Sequence, residues 1–195
     1  MFKEMKKIVM VFVLGIVMAG FAFGQAAGSR SASFMKIFES GTYHMKAKMN
    51  NDGVEVSMEV FVKGNNLSCI TSAEGETVRV IFKDNKTHMI MESQKMIIVM
   101  PASDMTEFGK IETSGLSFTA AGTANFDGRN LPYEEFKGPD GEKTQYFFDG
   151  NRLAGIRESD GSETSDIVIS ELNQNVPDSV FNIPAGYTVL EMPSF

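Results

Sequence analysis

Side-chain catalysis needs an acid, a base or a nucleophile at a recognisable spacing, and this sequence is poor in all three. It has two histidines, His44 and His88, and one cysteine, Cys69. In the alternation of their segments His44 falls opposite Met45, and His88 falls opposite Met89 and Met91. Both therefore read as structural or surface histidines rather than a catalytic pair. No G-x-S-x-G elbow supplies a nucleophilic serine, and no G-x-G-x-x-G or P-loop supplies a phosphate cradle. Two histidines without carboxylates at ligand spacing do not make a catalytic zinc site, and one cysteine makes no thiolate cage. Asp160, Ser162, Thr164 and Asp166 alternate as oxygen donors. They lack the full calcium-loop pattern and its terminal Glu, so a solvated hairpin turn is the better reading. Adjacent Glu134 and Glu135 are a candidate carboxylate pair for acid–base work. In a chain with 25 acidic residues they read instead as a wet sheet face. No catalytic residue, metal or cofactor is expected, and the chain reads as a non-enzyme.

The positive signal is apolar and soft. The chain of 195 residues holds 14 Met and 16 Phe but no Trp. Met45, Met49, Met58, Met89, Met91, Met96 and Met100 fall in consecutive strand-like runs of the first half. Methionine is flexible and polarisable, and it is over-used where one surface must fit varied apolar partners. On a curled sheet such residues would line one face and bind acyl chains or other greasy ligands; equally, they would simply fill a core. The candidate ligand-lining set is Met45, Met49, Val56, Met58, Val60, Val80, Phe82, Met89, Met91 and Phe147. The absence of Trp counts against a sugar site. The net charge of −7 counts against nucleic acid, whose phosphates need clustered Lys and Arg.

The N-terminus reads as a targeting segment. Lys3, Lys6 and Lys7 precede an apolar stretch from Ile8 to Phe23, and Ala22 and Gly24 supply small residues before Gln25. This is the three-part pattern of a secretory signal peptide cleaved near Gly24. The apolar stretch is short for a membrane span of about 20 residues. Without a nearby Cys, no lipid anchor is expected at that site. Residues 1–24 are thus assigned to the signal and 25–33 to a linker, with one domain over 34–195. Removal of the signal would take the charge from −7 to −9. The mature protein is expected in the periplasm, or secreted, and not membrane-spanning. Cys69 lies in a strand-like run and reads as a buried small hydrophobe rather than an intermolecular bridge.

The elements that must position these residues are strands. From Thr42 onward the pattern has period two, with turn residues about every ten positions. Val54 to Val62 puts Val54, Val56, Met58, Val60 and Val62 on one face and Glu55, Ser57 and Glu59 on the other. Further strands are expected over 42–50, 67–72, 78–83, 87–92, 96–100, 117–125, 132–137, 144–149, 152–158 and 165–172, with two short ones at 180–183 and 187–192. Asp52-Gly53, Asp127-Gly128 and Asp149-Gly150 are strong hairpin signals. The fold class is mainly β: one curved antiparallel sheet, or half-barrel, of about eleven strands. Short links force antiparallel neighbours, and so many strands must curl, split or close. Phe34, Ile37 and Phe38 lie at i, i+3 and i+4 of a short helix, marginal unless docked. A second helical turn is expected around Asp104, Met105 and Phe108, with Gly109 ending it.

Three stretches in this order resemble the LolA-like superfamily of outer-membrane lipoprotein-sorting proteins. They are G-T-Y-H-M-K-A-K-M with M-E-V-F-V-K-G-N-N-L, V-I-F-K-D-N-K-T-H-M-I-M with M-I-I-V-M-P, and the closing N-V-P-D-S-V-F-N-I-P-A-G-Y. The resemblance implies a half-barrel of antiparallel strands whose open side is capped by helices, enclosing an apolar cavity for lipid or lipoprotein acyl chains. It would make Phe34, Ile37 and Phe38, with Met105 and Phe108, residues of short lid helices. Both are shorter than a full lipoprotein chaperone requires. Envelope sensors share this fold, so an envelope protein partner is the alternative.

Overall fold

The computed structural model describes residues 30–51, 53–101, 117–138, 141–159 and 163–192. Among the described residues, one α-helix, α1 (Arg30–Glu39), precedes twelve strands. The first six are β1 (Thr42–Asn51), β2 (Val54–Lys63), β3 (Asn66–Ala73), β4 (Glu76–Lys83), β5 (Lys86–Met91) and β6 (Met96–Pro101). The rest are β7 (Ser117–Phe126), β8 (Arg129–Lys137), β9 (Lys143–Asp149), β10 (Arg152–Ser159), β11 (Thr164–Asn173) and β12 (Thr188–Glu191). All twelve join one sheet in the order β12-β6-β5-β4-β3-β2-β1-β11-β10-β9-β8-β7. The mainly β class, the single large curved sheet and the helix on one side are as the sequence leads one to expect.

Local chemistry accounts for the hairpins. Asp84 and Asn85 both have positive φ, 53° and 58°, the two-residue turn whose twist matches the flanking strands. Asp127 and Gly128 do the same between β7 and β8. The φ sign explains why Asp, Asn and Gly occupy these places, since they tolerate the left-handed region best.

The sheet has two distinct faces. On the front, where α1 packs, Met45 and Met58 meet Met35 and Phe38 of the helix, together with Phe136, Tyr146, Phe148, Ile156, Ile167 and Ile169 of the later strands. Burying Met35 and Phe38 supplies about 1.5–3 kcal/mol each, which a ten-residue helix needs. The buried line of α1 is Ser31, Met35 and Phe38. Phe34 and Ile37 are half-buried beside it. The back face carries smaller clusters: Ile81, Ile90, Ile97 and Val99; Phe126, Leu131, Phe147 and Ala154; and Phe61 with Val176 and Phe181.

Three expectations about the chain's ends need correction. The helix includes Arg30–Ser33, residues assigned to a linker. Residues 180–183 do not form a strand; Asp178–Phe181 is a 3-10 turn whose Phe181 is buried against the back of β2. The last strand is not antiparallel to its neighbour. β12 pairs with β6 in parallel, Thr188 beside Met96 and Glu191 beside Val99. A hairpin cannot make that pairing; a crossover can. Residues 174–187 provide it, leaving β11 and passing over the back face to the far edge. The Arg79 guanidinium donates to the Val180 carbonyl, and the Thr188 N–H donates to Lys95 O at 2.9 Å. Proline, glycine and apolar residues here resemble a broken strand in sequence, because a strap buried on one side also needs alternating apolar contacts.

Gly155 lies at an irregularity in the β9–β10 ladder. A Cβ there would come within 2.3 Å of Phe126 Cζ and 2.4 Å of the Ile167 carbonyl oxygen. The backbone contact cannot be relieved by a side-chain rotation. Gly155→Ala is therefore expected to lower stability by about 2 kcal/mol or more, read as a reduced urea midpoint.

Candidate functional site

Strand register assembles the front face. β1 contributes Tyr43, Met45, Ala47 and Met49; β2 contributes Val56, Met58, Val60 and Val62, directly opposite them. Leu67, Cys69 and Thr71 continue it on β3, and Val78, Val80 and Phe82 on β4. Met89 lies opposite Val80 and Met91 opposite Val78 on β5; Met96, Ile98 and Met100 complete it on β6. The seven strand methionines named from the sequence thus share one face, and no Lys or Arg interrupts it across six strands.

Met45, Met58, Val60 and Val80 are buried members of the main cluster, with Met49 and Met89 half-buried against it. Val56 and Met91 are buried on the same face and Phe82 is half-buried there. Phe147 departs from the expected set: it packs on the back with Phe126, ring centroids 4.4 Å apart. Tyr146 and Phe148, not Phe147, face the helix. The run Tyr-Phe-Phe gives no sign of which ring points where; the register with Ile156 and Gly155 does. Phe38 is buried and Phe34 stacks on Phe148 at 5.9 Å. Met105, Phe108 and the turn around them lie outside the described residues, as does the segment read as a signal.

The helix is held by a residue the sequence did not single out for that role. The Glu134 carboxylate, on β8, accepts the Arg30 N–H at 2.8 Å, the Ser31 N–H at 3.0 Å and the Ser31 hydroxyl at 2.5 Å. A carboxylate at the positive end of a helix satisfies otherwise orphaned N–H groups. Glu135, its neighbour, points to the opposite face, accepting from Gln145 Nε2 at 2.9 Å. The two carboxylates are therefore not a pair for acid–base chemistry.

The histidines are equally separate. His44 stacks on Phe61 at 4.3 Å with its Nε2 2.8 Å from Glu59 Oε1. His88 lies four strands away on β5, about 19 Å at the usual strand spacing. Asp166, one of the alternating oxygen donors, is gripped by the Arg157 guanidinium at 2.6 and 2.7 Å. Among the described residues no group of His, Cys, Asp and Glu is placed to hold a metal ion. Cys69 is fully buried, its Sγ 3.7 Å from Thr71 Oγ1. Burial pushes its thiol up to about 11, so it stays protonated and unreactive near neutrality.

One ionisable group stands at the margin of the apolar face. Glu158 lies opposite Thr144 and Ser165, two residues beyond Ile156 on the same side. Its Oε1 is buried and has no hydrogen-bond partner. Burial first, and then the Glu142 charge, raise its carboxyl from 4.5 to about 7. A raised acid pKa means that the folded state holds the proton that the unfolded chain releases near pH 4.5. Stability contributed by Glu158 is then present at low pH and is lost as pH rises from about 4.5 to about 7. Glu158→Gln should remove this loss, an effect on the order of 3 kcal/mol at most. Urea melts of both proteins at pH 5 and pH 8 would show the variant gaining relative to the parent at the higher pH.

No protein-family model and no curated protein sequence matches this chain. Solved structures do resemble it. An uncharacterized conserved protein from Thermus thermophilus superposes with a TM-score of 0.54 at 7% identity, over 84% of this chain and 100% of that one. LprF from Mycobacterium bovis does so at 0.44 and 13%, over 82% and 100%. A LolA superfamily protein from Nitrosomonas europaea does so at 0.39 and 13%, over 78% and 97%. At such identities likeness bears on fold alone, and the Thermus protein carries it. No helix among the described residues is long and apolar enough to cross a membrane.

Proposed function

We propose that this protein is a non-enzymatic carrier that binds lipid, lipoprotein acyl chains or another hydrophobic ligand on the front face of its sheet. The observation that carries the reading is a mainly apolar, Met-rich face without a Lys or Arg across six strands, several of whose side chains are only half-buried. A filled core of this size would bury Met49, Met89, Met96 and Met100 as fully as it buries Met45. Flexible thioethers at half-buried positions suit a surface that re-packs around chains of varied shape. The resemblance to lipoprotein-sorting proteins points the same way. The periplasm, or another exported compartment, is the place of action that the N-terminal segment supports.

The test is uptake of Nile red, an apolar fluorophore, by the purified protein, with native mass spectrometry of protein taken from its own cell envelope. Saturable fluorescence gain and a co-purifying lipid are expected. Met89→Lys should weaken uptake at least tenfold while leaving the far-ultraviolet circular dichroism unchanged, because Met89 is half-buried on a strand that stays paired on both sides. No uptake and no bound lipid would sink the carrier reading.

One observation favours a second reading, an envelope interaction module. β7 is a ten-residue edge strand without Lys, Arg, Asp, Glu or Pro, and the opposite edge exposes Val189 at 53%, Leu190 at 47% and Met192 at 45%. Unprotected edges are templates for a partner strand. Crosslinking in cells that captures one protein in stoichiometric amount, with no lipid in the mass spectrum, would favour this module over the carrier.

A further inference from the structure

The carrier reading leaves the polar end of the ligand undefined, and the distribution of charge over the sheet speaks to it. By register, the Lys and Arg residues of the strands, from Lys46 and Lys48 on β1 to Arg152 and Arg157 on β10, all project from the back face. The strand carboxyls of the front face are Glu76, Glu134 and Glu158. Glu76 sits at an exposed rim, where the Ser93 hydroxyl donates to it at 3.4 Å. Glu134 is occupied by the helix N-terminus. Glu158 is the one with a buried oxygen lacking a partner.

We propose that the ligand is an amphiphile with an ammonium head, and that Glu158 receives that head while the chain lies along the adjoining apolar row. This rests on the carrier reading above. The row next to Glu158 runs Ile156, Ile167, Met49 and Val56 from β10 to β2; Met49 is half-buried and the other three are buried, so the chain must displace what now covers them. The row's length is three strand spacings, about 14 Å, comparable to an alkyl chain of about twelve carbons. A carboxylate or phosphate head entering here would meet acids and no Lys or Arg of the described strands, and would lose its hydration without a replacement. An ammonium donates to the orphaned Oε1, and a charge-assisted hydrogen bond in a partly dehydrated place is stronger than one in water. Among the described residues, the other groups facing Glu158 from the strands are Thr144 and Tyr146 of β9 and Ser165 of β11, with the Glu142 charge nearby. None of them competes as a cation, and Glu142 adds to the pull on one.

Dodecylamine, dodecanol and dodecanoate, each below its solubility or micellar limit at pH 7.5, compete for bound Nile red in the experiment that decides this. The amine is expected to displace the dye at a concentration at least tenfold lower than dodecanoate. Glu158→Gln should bring the amine to the level of dodecanol and leave dodecanol unchanged. Glu55→Gln, on the back face, should keep the amine preference. If dodecanoate competes as well as the amine, the inference fails and the carrier reading stands. If the preference survives in Glu158→Gln, attraction to the acidic surface explains it, and the role of Glu158 is overturned. If Nile red does not bind at all, the carrier reading itself has failed.

Discussion

Strict two-residue alternation, kept in register from strand to strand, is the constraint on which the rest depends. A slip of one residue by β2 against β1 would send Val56, Met58 and Val60 to the back and bring Glu55, Ser57 and Glu59 to the front. The cost is steep, because buried charge would replace buried hydrocarbon along ten residues. Turn chemistry defends the register locally: Asp84-Asn85 and Asp127-Gly128 fix two-residue links that admit one pairing each. Where the alternation does shift, at Lys46/Ala47 in the β1–β11 ladder, Leu153/Gly155 in β9–β10 and Phe118/Ala120 in β7–β8, the ladder absorbs an extra residue. The front set resumes beyond each irregularity, so the apolar face continues from the first half of the chain into the second.

The helix depends on this face and on one carboxylate. Ten residues are too few to hold a helix in water alone. Met35 and Phe38 supply the apolar dock, while Glu134 binds the first turn from a strand about a hundred residues later. That pairing closes a loop spanning most of the domain. The back face is fastened by a different device. Residues 174–187 cross it, with Val176 and Phe181 buried against Phe61 and the Lys63 ammonium 2.6 Å from Asp178. The exposed ion pair adds little; the buried aromatic contacts hold the strap.

Much of this architecture was legible in the sequence because period-two patterning is a direct image of a sheet with unlike faces. The pairing of Val54–Val62 with its neighbours, the hairpin turns and the shared face of seven methionines follow from alternation alone. Phe147 shows where that logic stops. Both faces of β9 are buried, so alternation between polar and apolar residues is lost and the side of each ring is set by a partner strand. The strap was misread for a similar reason: a segment buried on one side shows strand-like spacing without ladder hydrogen bonds. Glu134 was visible only as half of a carboxylate pair with Glu135, and Glu158 not at all, since among 25 acidic residues nothing local marks one carboxyl as a helix clamp and another as buried. Their roles arise from long-range geometry.

The two faces divide the demands of stability and adaptability between them. On the back, planar groups make fixed contacts: Arg157 lies 5.2 Å from the Phe147 ring centroid with its guanidinium held bidentately by Asp166, and His44 lies flat on Phe61. Such contacts lose strength with small displacements, so they favour one arrangement of the sheet. On the front of β4–β6, Glu76 and Thr87 apart, the residues are Val, Phe, Ile and above all Met, whose contacts change little as rotamers change. A sheet stiffened from behind can leave its front loosely filled without losing its register. Under the proposed carrier reading, that is the mechanical condition for an apolar surface at β4–β6 that accepts a guest, while the ring pairs of the front face, Phe34–Phe148 and Phe38–Tyr43, gather at α1.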